Sequence, residues 1–295
     1  MTSLAHWVAG ARPRTLPAAF SPVIAGTGIA VAAGGFEPVT AVLALVVSVA
    51  LQVGVNYAND YSDGIRGTDA DRVGPLRLVG SGLAAPRTVK VAAFVCFGIA
   101  AVAGLAIVVL TQLWWLLLVG ALAIAAAWFY TGGKHPYGYL GLGEVFVFIF
   151  FGLVAVTGTT LVQLGTIPAA AVVAAVAIGS LACVILVANN LRDLAGDSAS
   201  GKRTLATRLG DRGTRVFFTV LVGIAALAVI GVAALVSWWC LLGLAFLLLA
   251  TPAVRTVLTG ATGRELIAVL KRIGTAELVC ALGLAVGCVV AVLLG

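Results

Sequence analysis

The sequence has 295 residues, 62% hydrophobic and only 10% charged, with 18 Lys and Arg against 11 Asp and Glu for a net charge of +7. A mean hydropathy of +1.15 lies far outside the balance of a water-soluble globular domain and excludes one. Positive charge held beside apolar segments is a poor fit to nucleic acid and a good one to anionic headgroups or a phosphorylated substrate.

The opening stretch MTSLAHWVAGARPRTLP has no uninterrupted apolar core with a small-residue cleavage site and carries Arg12 and Arg14, so the first span is expected to stay in the mature chain. From there, apolar stretches of the length that crosses a hydrocarbon core of ~30 Å recur along the chain. Nine are predicted, at 16–34, 38–58, 89–110, 113–131, 142–163, 168–190, 214–236, 238–254 and 274–294. Strand-like alternation is absent, and lipid requires each segment to satisfy its own backbone hydrogen bonds. The expected fold class is therefore all-α, a polytopic bundle of nine transmembrane helices in one domain over 1–295. The 36 glycines suit close helix packing in lipid.

With nine spans all 18 basic residues fall on one side, in the stretches before the first span and after the second, fourth, sixth and eighth. Short cytoplasmic loops collect Lys and Arg, so the N-terminus is expected in the cytoplasm and the C-terminus outside. Cys96, Cys183, Cys240, Cys280 and Cys288 lie within apolar spans without CxxC spacing and read as small core residues.

Two loops are long and polar. NYANDYSDGIRGTDADR (56–72) ends the second span and NNLRDLAGDSASGKR (189–203) ends the sixth. Four spans separate them, so both emerge on the same face, and a parallel repeat of about four helices is suggested. Asp60 and Asp63 are three apart and Asp193 and Asp197 four apart, so each pair shares a helical face. These carboxylates sit near helix C-termini, where the backbone dipole is already negative and where they repel one another. Something positive must compensate, and a hard divalent cation such as Mg²⁺, shared with phosphate oxygens, meets that need. The plainer reading, solvated acids paired with nearby arginines, suits Asp71 and Asp211 better than the rest. Arg66, Arg72 and Arg77 follow the first cluster and Lys202, Arg203 and Arg208 the second, and cations in such positions neutralise a departing diphosphate.

NDYSDGIRGTD and DLAGDSASGKRTLATRLG, on spans two and six of nine, resemble the two Asp-rich motifs of the UbiA-type intramembrane aromatic prenyltransferases, and the resemblance covers essentially the whole chain. ARPRTLPAAFSPVIAGT (11–27), GPLRLVGSGL (74–83) and YTGGKHPYGYLGLGEVFVFIFFG (130–152) are similar to the branch that prenylates 1,4-dihydroxy-2-naphthoate in menaquinone synthesis. Asp69 stands six positions after Asp63 instead of the family's usual four, which leaves its part in metal binding open. The resemblance implies Mg²⁺, two ions, with Asn59 and Asp63 on one, Asp193 and Asp197 on the other, and Asp60 in support. It further implies a polyprenyl diphosphate donor gripped by Asn56, Arg14, Arg66, Arg72, Arg77, Lys202 and Arg203, its tail lying in the bilayer between helices.

Ionisation of an allylic diphosphate needs a shielded cation, and Tyr130, Tyr137, Phe146 and Phe148 are the candidate aromatic faces. The resemblance gives attack at the carboxylate-bearing carbon of the naphthoate, with loss of CO₂, to form demethylmenaquinol. Lys134 reads either as a binder of carboxylate or diphosphate or as an orientation signal. Glu144 reads as a functional acid or a hydrated one, and Glu277, one turn beyond Arg272, as functional, snorkelling or paired. Two competing readings remain: another acceptor, such as 4-hydroxybenzoate or haem, and an ion-coupled secondary transporter, which would place its acids near the bilayer midplane. Hydrolase and nucleotide motifs are absent.

Overall fold

The structure, a computed structural model, describes residues 2–67, 76–134 and 136–294. Among the described residues the secondary structure is helical throughout. In chain order the helices are α1 (Leu4–Gly10), α2 (Pro17–Ala32), α3 (Pro38–Arg66), α4 (Pro86–Thr111), α5 (Leu116–Phe129), α6 (Gly143–Leu164), α7 (Ala169–Arg192), α8 (Leu194–Ala199), α9 (Leu205–Leu235), α10 (Trp238–Leu258) and α11 (Glu265–Leu294).

Seven of these, α3, α4, α6, α7, α9, α10 and α11, are long and apolar enough to cross a membrane; the segment Leu4–Thr15 with α2, bent by 50°, makes an eighth if counted as one span. The stretch expected as the fourth span forms only the 14 residues of α5. At 1.5 Å per residue that is about 21 Å, short of the hydrocarbon core. The shortening has a local cause: Gln112 closes α4 in a left-handed conformation (φ 59), and the chain turns through 113–115 before α5 begins. The second span, by contrast, runs beyond its apolar stretch. α3 continues to Arg66, where Gly67 caps it at φ 70, so Asn59, Asp60 and Asp63 occupy its last turns.

Packing divides the bundle into two apolar clusters. The larger gathers α2, α6, α7, α9, α10 and α11 around α7, 72% of whose apolar window is buried against 28–44% in the other spans, so α7 is the central helix. The smaller joins α3, α4 and α5 with Trp7. Large apolar side chains such as Val102, Leu118, Leu227 and Leu248 stay exposed on the outer surface, where lipid replaces water as the solvent.

Within the larger cluster, α6 and α7 approach through residues without side chains. A Cβ at Gly152 of α6 would lie 2.7 Å from the Gly179 Cα and 2.8 Å from the Ala175 carbonyl oxygen of α7. Over residues 148–157, α6 is wound as a π-helix, which shifts the facing of its aromatic side chains. Gly152→Val is expected to force α6 from α7, costing about 2–3 kcal/mol and lowering the melting midpoint of detergent-solubilised protein by roughly 5–10 °C. An unchanged midpoint would mean that this crossing is looser than described.

Candidate active site

Between the two clusters lies a cavity of about 650 Å³. Its polar end is lined by Asn59 and Asp63 of α3, Arg77, Asp193, Asp197 and Lys202; its apolar reach includes Leu51, Leu105, Leu117, Phe146, Phe150 and Val154. Two acid motifs 130 residues apart in sequence thus open into one space that runs from charge to hydrocarbon.

The two sides are tied together through Tyr139. Its hydroxyl donates to Asp63 Oδ1 at 2.5 Å, while its ring carries the Lys202 ammonium 4.7 Å from the centroid. Lys202 in turn pairs with Asp197 at 3.3 Å. The first and second motifs therefore lie within one ring and one ammonium of each other. Burial, and then the charge of Asp63, push the Tyr139 phenol above its ordinary value, so it stays protonated as a donor near neutral pH.

Every motif carboxylate lining the cavity faces a cation. Arg77 approaches Asp63 at 3.3 Å, and Arg192 grips Asp193 through Nε and Nη2 at 2.7 and 2.8 Å. Asn59 accepts at Oδ1 from the Thr131 hydroxyl at 2.7 Å, which aims its amide. Arg12 lines the cavity from the segment before α2, in a left-handed conformation (φ 54) that non-glycine residues adopt rarely. Asn56 also lines the cavity and donates to the Ala11 carbonyl and the Thr15 hydroxyl, both at 2.9 Å, thereby holding the segment that presents Arg12.

Several expected residues stand elsewhere. Asp60 does not converge with Asp63: its carboxylate is fully buried and accepts the backbone N–H groups of Leu78 and Val79 at 2.7 and 3.0 Å. It anchors the loop that presents Arg77. Asp60→Ala would orphan the buried Leu78 N–H, at about 1–3 kcal/mol, and the part-buried Val79 N–H at a smaller cost. Lower thermal stability and a raised donor KM are the expected results, and unchanged values of both would show that the loop is held otherwise. Arg66 spends its guanidinium on the carbonyls of Thr131 and Gly133 and lies over the Tyr139 ring, outside the cavity lining. Arg14, Lys134 and Arg203 are exposed and off the lining; Arg203 is fixed through its backbone N–H to the Tyr139 carbonyl. Asp69, Asp71, Arg72 and His135 lie outside the described residues.

Among the aromatic candidates, Tyr130, Tyr137 and Phe146 line the cavity. Tyr137 stacks on Phe146 with centroids 4.0 Å apart and gives its hydroxyl to the Ala126 carbonyl, so its ring is what it offers. Phe148 instead packs beside Gly179, and Phe150 and Phe151 take its place. Asp211 pairs with Arg215 at 2.7 Å, as the plainer reading expected. Glu277 neither snorkels nor pairs: it is fully buried, and neither carboxylate oxygen has a hydrogen-bond partner among the described residues. Glu144 is not a hydrated acid but a buried one, accepting from Asn190 at 2.8 Å.

The residues missed were Arg12, Tyr139, Arg192 and Asn190. One signal was present: Asn56, Asn59 and Asp63 and, in the second motif, Asn190, Asp193 and Asp197 follow the same spacing, three then four, which lays each trio along one helical face.

The ligand set is of oxygens only, and no group of three or more His, Cys, Asp and Glu able to hold a metal is assembled among the described residues. One carboxylate and an amide on one side and two carboxylates on the other leave positions for phosphate oxygens and water, the coordination Mg²⁺ accepts, so the residues fit that ion.

A helical bundle with two amide- and carboxylate-bearing helix ends facing one apolar cavity belongs to a known class. The UbiA prenyltransferase family matches residues 19–266, and the chain is a member of that family and an integral membrane protein. It is 53% identical over 285 residues to the 1,4-dihydroxy-2-naphthoate octaprenyltransferase of Mycobacterium tuberculosis, covering 97% of each chain. It is 39% identical over 241 residues to the Escherichia coli protein of the same name, covering 79% of this chain and 78% of that one. The fold is also that of a UbiA homologue from Archaeoglobus fulgidus solved with GPP and Mg²⁺ (TM-score 0.69, 16% identity, covering 95% of this chain and 99% of that chain).

Proposed function

We propose that this protein transfers a polyprenyl group from polyprenyl diphosphate to 1,4-dihydroxy-2-naphthoate, with loss of CO₂, giving demethylmenaquinol and diphosphate in menaquinone biosynthesis. The observation that carries this reading is the single cavity in which Asp63 and Asp197 are joined through Tyr139 and Lys202, with a continuous apolar reach beyond them. The relatives' shared name supplies the acceptor.

Asn59 and Asp63 would hold one Mg²⁺ and Asp193 and Asp197 the other. When bound, the ions supply Lewis-acid neutralisation of the leaving diphosphate. Arg12, Arg77, Arg192 and Lys202 line the same space and add positive charge where the diphosphate departs. As the allylic C–O bond breaks, its electron pair leaves with the diphosphate. The rings of Tyr130, Tyr137 and Phe146 present π faces to the developing cation, and the apolar walls keep water from it. The allylic carbon then bonds to the carboxylate-bearing ring carbon, and CO₂ departs leaving its electron pair on the ring.

Both motifs and all the Lys- and Arg-bearing stretches fall on one side of nine spans when the short α5 is counted as the fourth, which supports an N-terminus in the cytoplasm, a C-terminus outside and a site open to the cytoplasmic face of a prokaryotic cell membrane. A donor dissolved in the bilayer and an acceptor arriving from water would meet there. A panel of hydroxylated aromatic acceptors with a polyprenyl diphosphate, read by mass spectrometry, tests the reading. Prenylated, decarboxylated naphthoquinol is the expected product. Prenylation of 4-hydroxybenzoate or haem alone would reassign the acceptor, and flux without product would favour a transporter.

A further inference from the structure

Asn190 lines the cavity one helical turn below Asp193 and one turn above Leu186, where charge gives way to hydrocarbon. Its Nδ2 donates to Glu144 Oε1 at 2.8 Å. With the amide N–H group donating to Glu144, this contact sets which end of the amide faces inward. The Asn190 carbonyl oxygen is then left to the cavity, and it accepts no hydrogen bond from the described residues. Asn189 differs: its amide bonds the Ile185 carbonyl of its own helix at 3.1 Å, a contact any helix offers. Orienting Asn190 takes a buried acid from a second helix, 5% exposed, and burying an acid is costly unless it is engaged.

A lone carbonyl acceptor selects a hydrogen-bond donor. Diphosphate and carboxylate are anionic acceptors that it repels, and a prenyl tail offers nothing to it; among the substrate groups, only a ring hydroxyl donates. We propose that the Asn190 carbonyl oxygen, oriented by Glu144, is the subsite that recognises a hydroxyl of the aromatic acceptor. Glu144 is a positioning residue acting through Asn190. The inference rests on the aromatic-acceptor reading above and deepens it.

The test is steady-state kinetics of the full-length protein in detergent, varying acceptor, donor and Mg²⁺ separately. Asn190→Ala is expected to raise the acceptor KM about tenfold, the loss of one hydrogen bond, with the donor KM and the half-saturating Mg²⁺ concentration within about twofold of wild type. Glu144→Ala should do the same, Glu144→Gln should recover most of the loss because its carbonyl still accepts from Asn190, and the double variant should be no worse than Asn190→Ala. An unchanged acceptor KM, additive effects, or a shift in Mg²⁺ requirement, which would put Asn190 around the ion, overturns the proposal.

The wild type gives a test independent of variant folding. Of the acceptor's mono-methyl ethers, one should compete at least tenfold more weakly than the parent, and that preference should vanish in Asn190→Ala; equal competition by both ethers overturns the proposal. Absence of product from every hydroxylated aromatic would overturn the functional reading itself, whereas product formation with an unmoved acceptor KM sinks only this subsite.

Discussion

Asp63→Asn and Asp193→Asn are each expected to lower kcat at saturating Mg²⁺ by about three orders of magnitude while leaving the melting profile close to wild type. Each substitution keeps size, removes one negative charge and turns one of two acceptor oxygens into an NH₂ group. Asp63 receives Arg77 and the Tyr139 hydroxyl, one on each oxygen, and Asp193 receives the forked Arg192 in the same way, so an amide oxygen in either place still accepts from one of the two donors. On the proposed assignment it would no longer hold a divalent cation firmly. A structural role predicts the opposite pattern: unfolding of both variants, or retention of more than a tenth of wild-type turnover by well-folded ones, would contradict the assignment. Product formation from labelled donor, measured beside thermal melting, reads both quantities.

Removal of divalent ions by EDTA is expected to abolish turnover and to weaken donor binding at least a hundredfold, with both restored when excess Mg²⁺ is added. Without the ion, the cations at the polar end are already committed: Arg77 to Asp63, Arg192 to Asp193 and Lys202 to Asp197. A diphosphate entering that arrangement meets carboxylates whose charge is only just balanced, and like charges at short range in a poorly hydrated cavity repel strongly. With an ion held there by Asp63 and the second-motif acids, Arg77, Arg192 and Lys202 would be free to turn to the phosphate oxygens. Because no cage of three protein carboxylates is assembled among the described residues, ion and diphosphate should bind cooperatively, each completing the other's coordination. Donor binding that survives EDTA undiminished would mean that the basic side chains alone hold the diphosphate. Ca²⁺, larger and less demanding in geometry, should restore binding better than turnover.

The membrane class, the helical fold and the two acid motifs were legible because hydropathy and helical spacing are local properties. The span count was less so: residues 113–131 are apolar enough for a span, but the left-handed Gln112 and the turn after it shorten α5 to 14 residues. Asp60 and Asp63, three apart, looked convergent. Asn59 and Asp63, four apart, are the pair that lines the cavity, because the backbone of Leu78 and Val79 takes Asp60 to the other side. Which neighbour claims a carboxylate is a tertiary fact that spacing does not carry. Phe148 was replaced by Phe150 and Phe151 because π winding over 148–157 shifts the facing of α6. Arg12 lines the cavity and Arg14, expected there, does not, a difference that a left-handed backbone at Arg12 produces and that two basic residues before a span do not reveal. Arg66, Lys134 and Arg203 belong to the loops around the site, where basic residues also serve orientation.

Mn²⁺ is a spectroscopic stand-in for Mg²⁺, and its binding in the presence of a non-ionising thiolodiphosphate analogue of the donor measures the ion site directly. Electron paramagnetic resonance of the wild type should show bound Mn²⁺ that depends on the analogue, and Asp63→Asn and Asp193→Asn should each remove a part of it. Full occupancy in either variant, or Mn²⁺ binding indifferent to the analogue, would contradict a diphosphate held by ions on both motifs.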